Sequence, residues 1–320
     1  MNVSASMRPY VAALIPTKNR PGELGRTIET ILAQSVPPQE IIIVDQSAGR
    51  DGQATAHAAY AAAPSACAMV VLRYFHTPEI SSTAAARNLL LEKARQSSAD
   101  PAAAAAGAAE SSAVWCFFDD DVELEPDYIE HVLAAYAADP EADGVSGVIT
   151  NYPPPPWRQR VWHAVFERGP YREVRLPMYW RAYTHRDREP RRTLKLTGAL
   201  MSFRAGVLRN YHNAPQAACL RGEDLSFCAG LGPGKLVITP LARLAHKRST
   251  QGRVREHWLR PEFESTRFLY HTYWRRGLVN RLCYAWLCCG FGLLFAAHEL
   301  RGLRPTAVSP RNVEPAGDSR

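Results

Sequence analysis

Short apolar runs recur along the first part of the chain, and each leads into polar or acidic residues. Val11–Ile15 (VAALI), Glu40–Val44 (EIIIV), Met69–Phe75 and Val114–Phe118 (VWCFF) have this character. Near-continuous apolar runs of this length, without polar alternation, fit strands covered on both faces. Between them lie a helical segment carrying Leu24, Ile28, Ile31 and Leu32, a second from about Gln53 to Ala62, and a third from about Ser82 to Ala94. The order βαβαβαβ predicts a parallel sheet sandwiched by helices, with ligand chemistry in the crevice at the strands' carboxyl ends. With 320 residues and 46% hydrophobic content, the chain can bury such a core.

The last of these strands runs straight into Asp119-Asp120-Asp121. Adjacent carboxylates repel one another, and hard divalent cations such as Mg2+ or Mn2+ take oxygen ligands from one or two carboxylates together with substrate phosphates. One reading is therefore a metal–diphosphate site. The other is an acid cluster at a helix N-terminus, because Pro126 and the periodic residues Tyr128, Ile129, Val132, Leu133 and Tyr136 mark a helix just beyond.

The net charge of +7 is carried by Arg: of 38 basic residues only Lys18, Lys93, Lys195, Lys235 and Lys247 are Lys. Arg253, Arg255, Arg260, Arg267, Arg275, Arg276 and Arg281 interleave with Trp258, Phe263, Phe268, Tyr270, Tyr273 and Trp274. An apolar run, Leu282 to Ala297, follows them, so an anionic membrane surface or a lipid diphosphate suits this patch better than nucleic acid. At 16 residues the run falls short of the roughly 20 that cross a bilayer, which favours an in-plane or re-entrant anchor over a span; a buried core helix is the competing reading. A helix from about Arg255 to Arg276 should precede it. The seven Cys form no C-x-x-C pair, and Val11–Ile15 is too short for a secretory core, so the catalytic part should stay in a reducing cytoplasm.

Residues 97–113 are low in complexity and read as a surface insertion. Residues 151–193 read as a long loop with short helices whose aromatics, Trp180 among them, either stack on a sugar or pack the loop onto the sheet. Leu194–Phe203 (LKLTGALMSF) reads as a strand with Gly198 inside it, and Glu223-Asp224 open a short helix. The residues from about Thr306 have the composition of a disordered tail.

In order, IPTKNRPGEL, EIIIVDQSAGRDG, AAARNLLL, FFDDDVELEPDYI, LTGALMSFRAGVL and RGEDLSF resemble the motifs of the family 2 glycosyltransferases across residues 10 to about 250. The resemblance implies a GT-A fold, a Rossmann-like doubly wound, mostly parallel sheet, spanning residues 8–250. A partly apolar helical extension at 251–304 and a tail at 305–320 would follow it.

The resemblance also implies an inverting transfer from a nucleoside-diphosphate sugar to a saccharide or lipid-linked hydroxyl, in cell-surface polysaccharide assembly. The enzyme would rest peripherally on the inner membrane face, with Mg2+ or Mn2+ as cofactor and no nucleic-acid partner. Asp45 would accept from the base, and Pro16, Thr17, Arg20 and Arg87 would line the donor pocket. Asp121 would bind the metal directly, Asp119 would meet the ribose or the metal through water, Asp120 would share the donor contacts, and His246 would complete the metal shell. Asp224 would be the general base with Glu223 as its rival, and Gly198, with Trp180, would face the acceptor.

Several of these residues also have a structural alternative: a turn-forming Asp45, a surface Arg87, a helix-capping Glu223-Asp224 pair and a purely structural His246. A nucleotidylyltransferase would need a Gly-rich first loop where this chain has PTKNRPG, and a dinucleotide oxidoreductase would need G-x-G-x-x-G. A catalytically inactive homologue serving as a membrane-bound assembly partner would be expected to have lost the acids, yet Asp45, Asp119, Asp121 and Asp224 are all present.

Overall fold

A computed structural model describes residues 9–63, 67, 69–98, 113–151, 156–171, 189–209, 223–230, 235–247 and 259–302. The first half follows the βα alternation: β1 (Val11–Thr17), α1 (Pro21–Leu32), β2 (Glu40–Asp45), α2 (Asp51–Ala61), β3 (Val71–His76), α3 (Thr83–Ser98) and β4 (Val114–Phe117). Then come β5 (Val122–Leu124), α4 (Tyr128–Ala138), β6 (Gly144–Ile149), α5 (Trp157–Phe166), β7 (Arg191–Thr193) and β8 (Met201–Arg204). The chain continues with α6 (Glu223–Gly230), β9 (Leu236–His246), α7 (Leu259–Leu269) and α8 (Leu278–Gly302).

Among the described residues one sheet runs in the order β3-β2-β1-β4-β8-β6-β9-β5, with β7 alongside β9. β1 pairs in parallel with both β2 and β4, and β8 then inserts antiparallel between β4 and β6. Because successive strands step outward from β1 in opposite directions, a crevice opens between the carboxyl ends of β1 and β4, where such folds bind ligands. Thr17 and the triple Asp sit at that point.

Alternate strand residues supply opposite faces of the core. Val11, Ala13 and Ile15 pack with Leu24, Ile28 and Ile31 of α1, whereas Ala12 and Leu14 pack with Leu90 and Leu91 of α3. A third cluster is separate from both: Tyr171, Leu259, Leu287 and Phe291 join α5, α7 and α8 through Trp162, Phe166 and Phe263. The described part of the C-terminal extension is therefore packed on residues 157–171.

Several sequence expectations are corrected. Residues 191–193, read as part of a loop, form edge strand β7. The strand expected over Leu194–Phe203 begins only at Met201, and Gly198 lies in a turn before it. Of the helix expected from about Arg255 to Arg276, residues 255–258 lie outside the described residues, and the rest is α7 followed by a π-helical turn, Tyr270–Trp274. The apolar run Leu282–Ala297 lies within a 25-residue helix, of which Leu278–Glu299 is long and apolar enough to cross a membrane by length and composition alone. Only 17% of its most apolar window is buried, which removes the core-helix reading. Residues 97 and 98 end α3, and the remainder of the low-complexity insertion up to residue 112 lies outside the described residues. The end of the extension from residue 303 and the tail at 305–320 do too.

Candidate metal and donor site

The triple Asp leads into β5, not directly into a helix, so the helix-terminus reading fails. Its three side chains serve different ends. Asp120 turns into the protein: the Thr17 hydroxyl donates to its Oδ2 at 2.6 Å and Arg20 Nη1 to its Oδ1 at 2.8 Å. Thr27, on α1, donates through its hydroxyl to the Asp120 main-chain oxygen at 2.8 Å. Burial pushes the Asp120 carboxyl up to about 6, while Arg20 and the Thr17 hydroxyl pull against that shift. Asp120 thus braces the loop against β1 and α1, and Thr17, expected to line the donor pocket, spends its hydroxyl on that brace.

Asp121 and Asp119 face the other way. His246 Nε2 lies 2.8 Å from Asp121 Oδ1 and 3.8 Å from Asp119 Oδ2. One ligand atom from each of the three residues fits within 4.8 Å of the others. Asp121 and His246 are buried, and Asp119 is 28% exposed, so the cluster has a walled side and an open side. Two carboxylate oxygens and one imidazole nitrogen converging in this way fit a divalent cation.

His246 is placed by the sheet. It ends β9 and sits opposite Val122 of β5, while the Lys247 N–H donates to the Asp121 main-chain oxygen at 2.8 Å. Asn151 holds its backbone from both sides: the His246 N–H donates to Asn151 Oδ1, and Asn151 Nδ2 donates to the His246 carbonyl, each at 3.0 Å. Sequence reasoning missed Asn151, for nothing in NYPPPP marks it.

The second acid site reaches the first through a turn and one arginine. Gly198 N–H donates to Asp224 Oδ2 at 3.0 Å, and Leu225 N–H to Asp224 Oδ1 at 2.9 Å. A Cβ at Gly198 would lie 2.5 Å from Arg87 Nη2, and that same nitrogen is 3.6 Å from Asp119 Oδ1. Arg87 is 2% exposed, so it is no surface cation. The space expected to admit an acceptor sugar at Gly198 holds the Arg87 guanidinium instead. Trp180 lies outside the described residues, as does the side chain of Glu223.

Asp45 is fully buried. Its Oδ1 accepts from the N–H and the hydroxyl of Ser47, and its Oδ2 from the Tyr74 hydroxyl. The turn-forming contact is therefore made, and Tyr74 is a partner the sequence did not announce. Pro16 is buried in β1, paired with Val44 beside Asp45. Arg20 also reaches Asp121, at 3.6 Å, so it links the brace to the cluster.

The sequence pattern of the family described as Glycosyl transferase family 2 matches residues 12–211, from β1 through β8. No match was found among curated proteins. Among solved structures, the fold is similar to a mannosyltransferase from Pyrobaculum calidifontis in complex with GDP-Man and Mn2+. That likeness has 15% identity over 93% of this chain and 81% of that one, with a TM-score of 0.54. It is similar also to TarS from S. aureus, residues 1–349, at 14% identity over 93% of this chain and 76% of that one, TM-score 0.54. The same TarS fragment in complex with UDP gives 13% identity, 92% and 74% coverage and a TM-score of 0.54. At such identities the likeness concerns the fold.

Proposed function

The chain belongs to glycosyl transferase family 2 and is a glycosyltransferase, and we propose that it transfers a sugar with inversion from a nucleoside diphosphate to a saccharide or lipid-linked hydroxyl. The observation that carries this reading is the convergence of Asp119, Asp121 and His246, and their link through Arg87 and Gly198 to Asp224. The mannosyltransferase neighbour is in complex with GDP-Man and Mn2+, which supports a nucleotide-sugar donor and a divalent cation on this fold.

In this reading Asp121, Asp119 and His246 hold a divalent cation, Mn2+ in preference to Mg2+. When bound, it neutralises the departing diphosphate, an effect worth several kcal/mol. Arg87 lies beside the open edge of the cluster and supplies positive charge toward the donor. Pro16, Arg20 and Asp45 shape the nucleotide end, Asp45 through the wall it builds with Ser47 and Tyr74.

Asp224 is the base. Its carboxylate is fixed by two main-chain N–H groups and takes the proton of the acceptor hydroxyl. The acceptor oxygen forms the new bond to the anomeric carbon as the bond to the diphosphate breaks, and the electron pair leaves with the nucleoside diphosphate. Residues 8–250 form the catalytic unit and 251–304 an extension that rests on the inner membrane face, where lipid-linked acceptors for cell-surface polysaccharide are found.

The test is nucleoside-diphosphate release from a panel of nucleotide sugars with saccharide acceptors, with the product's anomeric configuration read by NMR. Inversion with loss of turnover in EDTA supports the reading; a retained configuration removes the base assignment.

A further inference from the structure

We infer that α5 and α8 together form one monotopic docking surface for an anionic lipid bilayer, and that α8 lies in the interface and does not cross it. The inference rests on the membrane-facing reading above and adds a second element to it, from within the catalytic unit.

The outward face of α8 is apolar along its length. Leu278, Leu282, Trp286 and Leu293 recur at helical spacing and are exposed, Leu282 by 61% and Leu293 by 62%. Helix α5 carries a matching stripe, with Trp157 at 66% exposure and Val161 and Val165 at successive turns. The two stripes adjoin: Trp286 Nε1 donates to the Val165 carbonyl at 2.8 Å, and the Trp286 ring packs on Phe166 at 5.3 Å between centroids. An apolar surface continuous across two helices is larger than scattered exposed residues need be, and marks an interaction site.

The inward face of α8 excludes a simple span. Leu287 and Phe291 are buried against α5 and α7, Tyr284 stacks on Tyr270 at 3.8 Å, and Trp162 Nε1 donates to the Gly290 carbonyl. A Cβ at Gly290 would lie 2.5 Å from Phe166, so the two helices meet closely at mid-helix. A helix surrounded by lipid could not keep these contacts. Helix α7, on which it packs, carries Arg260, Glu262, Glu264 and Arg267 and belongs in water.

Charge identifies the occupant as anionic lipid. Arg158 follows Trp157, Arg275 and Arg276 precede Leu278, and Arg281 precedes Leu282; all four are exposed. Neither helix carries an acid before Glu299. An apolar face bordered by arginines, with Trp residues on it, is the composition of an interfacial helix pair on acidic headgroups.

The experiment is co-sedimentation of the full-length protein with phosphatidylcholine vesicles, with and without phosphatidylglycerol. The wild type should sediment with the anionic vesicles and much less with the neutral ones. Trp157→Ser combined with Val161→Ser, on α5 alone, should weaken partitioning by roughly tenfold. Circular dichroism and Mn2+-dependent stabilisation by the donor should stay unchanged, which separates this proposal from the catalytic one. Unchanged binding of the α5 variant would overturn the shared surface and leave α8 as a lone anchor. A wild type that ignores vesicles but forms dimers dispersed by the same substitutions would overturn the lipid assignment in favour of a second copy of the chain.

Discussion

Gly198 and Arg87 compete for one volume: a methyl group at residue 198 would stand 2.5 Å from Arg87 Nη2. The glycine therefore lets the guanidinium lie between the Asp224 turn and Asp119. Gly198→Ala should displace Arg87 and lower turnover by about tenfold to hundredfold, as small displacements of a charged group in an active site do. The crowding should cost about 1–3 kcal/mol of stability by denaturant unfolding. Arg87→Ala should lower turnover on its own, and the double variant should be little worse than either single one. Additive losses would show that the two residues act independently.

Asp120 and Asp121 are neighbours with different tasks. Asp120→Asn weakens the contacts to Thr17 and Arg20 and should cost about 1–3 kcal/mol in stability while Mn2+ binding persists. Asp121→Asn should leave the unfolding midpoint near that of the wild type in metal-free buffer and abolish Mn2+ binding. Titration of Mn2+ by electron paramagnetic resonance, paired with urea unfolding, distinguishes the two.

His246 and its clamp form a further pair. Removing the imidazole by His246→Ala leaves an all-oxygen set, so the preference for Mn2+ over Mg2+ should collapse. Asn151→Ala retains the ligand but releases its backbone, and should weaken Mn2+ by about tenfold to hundredfold, as loss of outer-shell support does. Competition between the two metals measures the first, and direct Mn2+ titration the second.

Asp224→Asn preserves the size of the side chain and can still accept from one of the two N–H groups, Gly198 or Leu225, yet removes the proton acceptor. Turnover should fall by about 10²–10⁴-fold with donor affinity nearly intact. Pre-steady-state donor binding alongside steady-state turnover separates the two effects.

The centre of the sheet was legible because β1, β2 and β4 are buried on both faces, so VAALI, EIIIV and VWCFF carry a near-continuous apolar signal, whereas β3 is partly exposed. Edge strand β7 was not, since Arg191-Arg192-Thr193 leaves two of three residues in solvent. The length of α8 was underestimated because Leu278–Arg281 contains Asn and Arg; helix propensity and the Gly277 start extend the helix beyond its apolar run. Within the site the metal cluster was visible as acids after a strand. The division of labour inside Asp119-Asp120-Asp121 was not, because it depends on Thr17 and Arg20 reaching the loop from β1 and α1. Asn151 and Tyr74 escaped for the same reason: both act through contacts that only the folded sheet creates.

Donor binding through a metal held by Asp119, Asp121 and His246 can be read from thermal unfolding of the full-length protein against a panel of nucleoside-diphosphate sugars. At least one donor should stabilise the protein in Mn2+, by about 2.7 kcal/mol at a hundredfold excess over its Kd, and EDTA or Asp121→Asn should remove this stabilisation. Equal stabilisation in EDTA, or an undiminished effect in Asp121→Asn, would contradict donor binding through the metal.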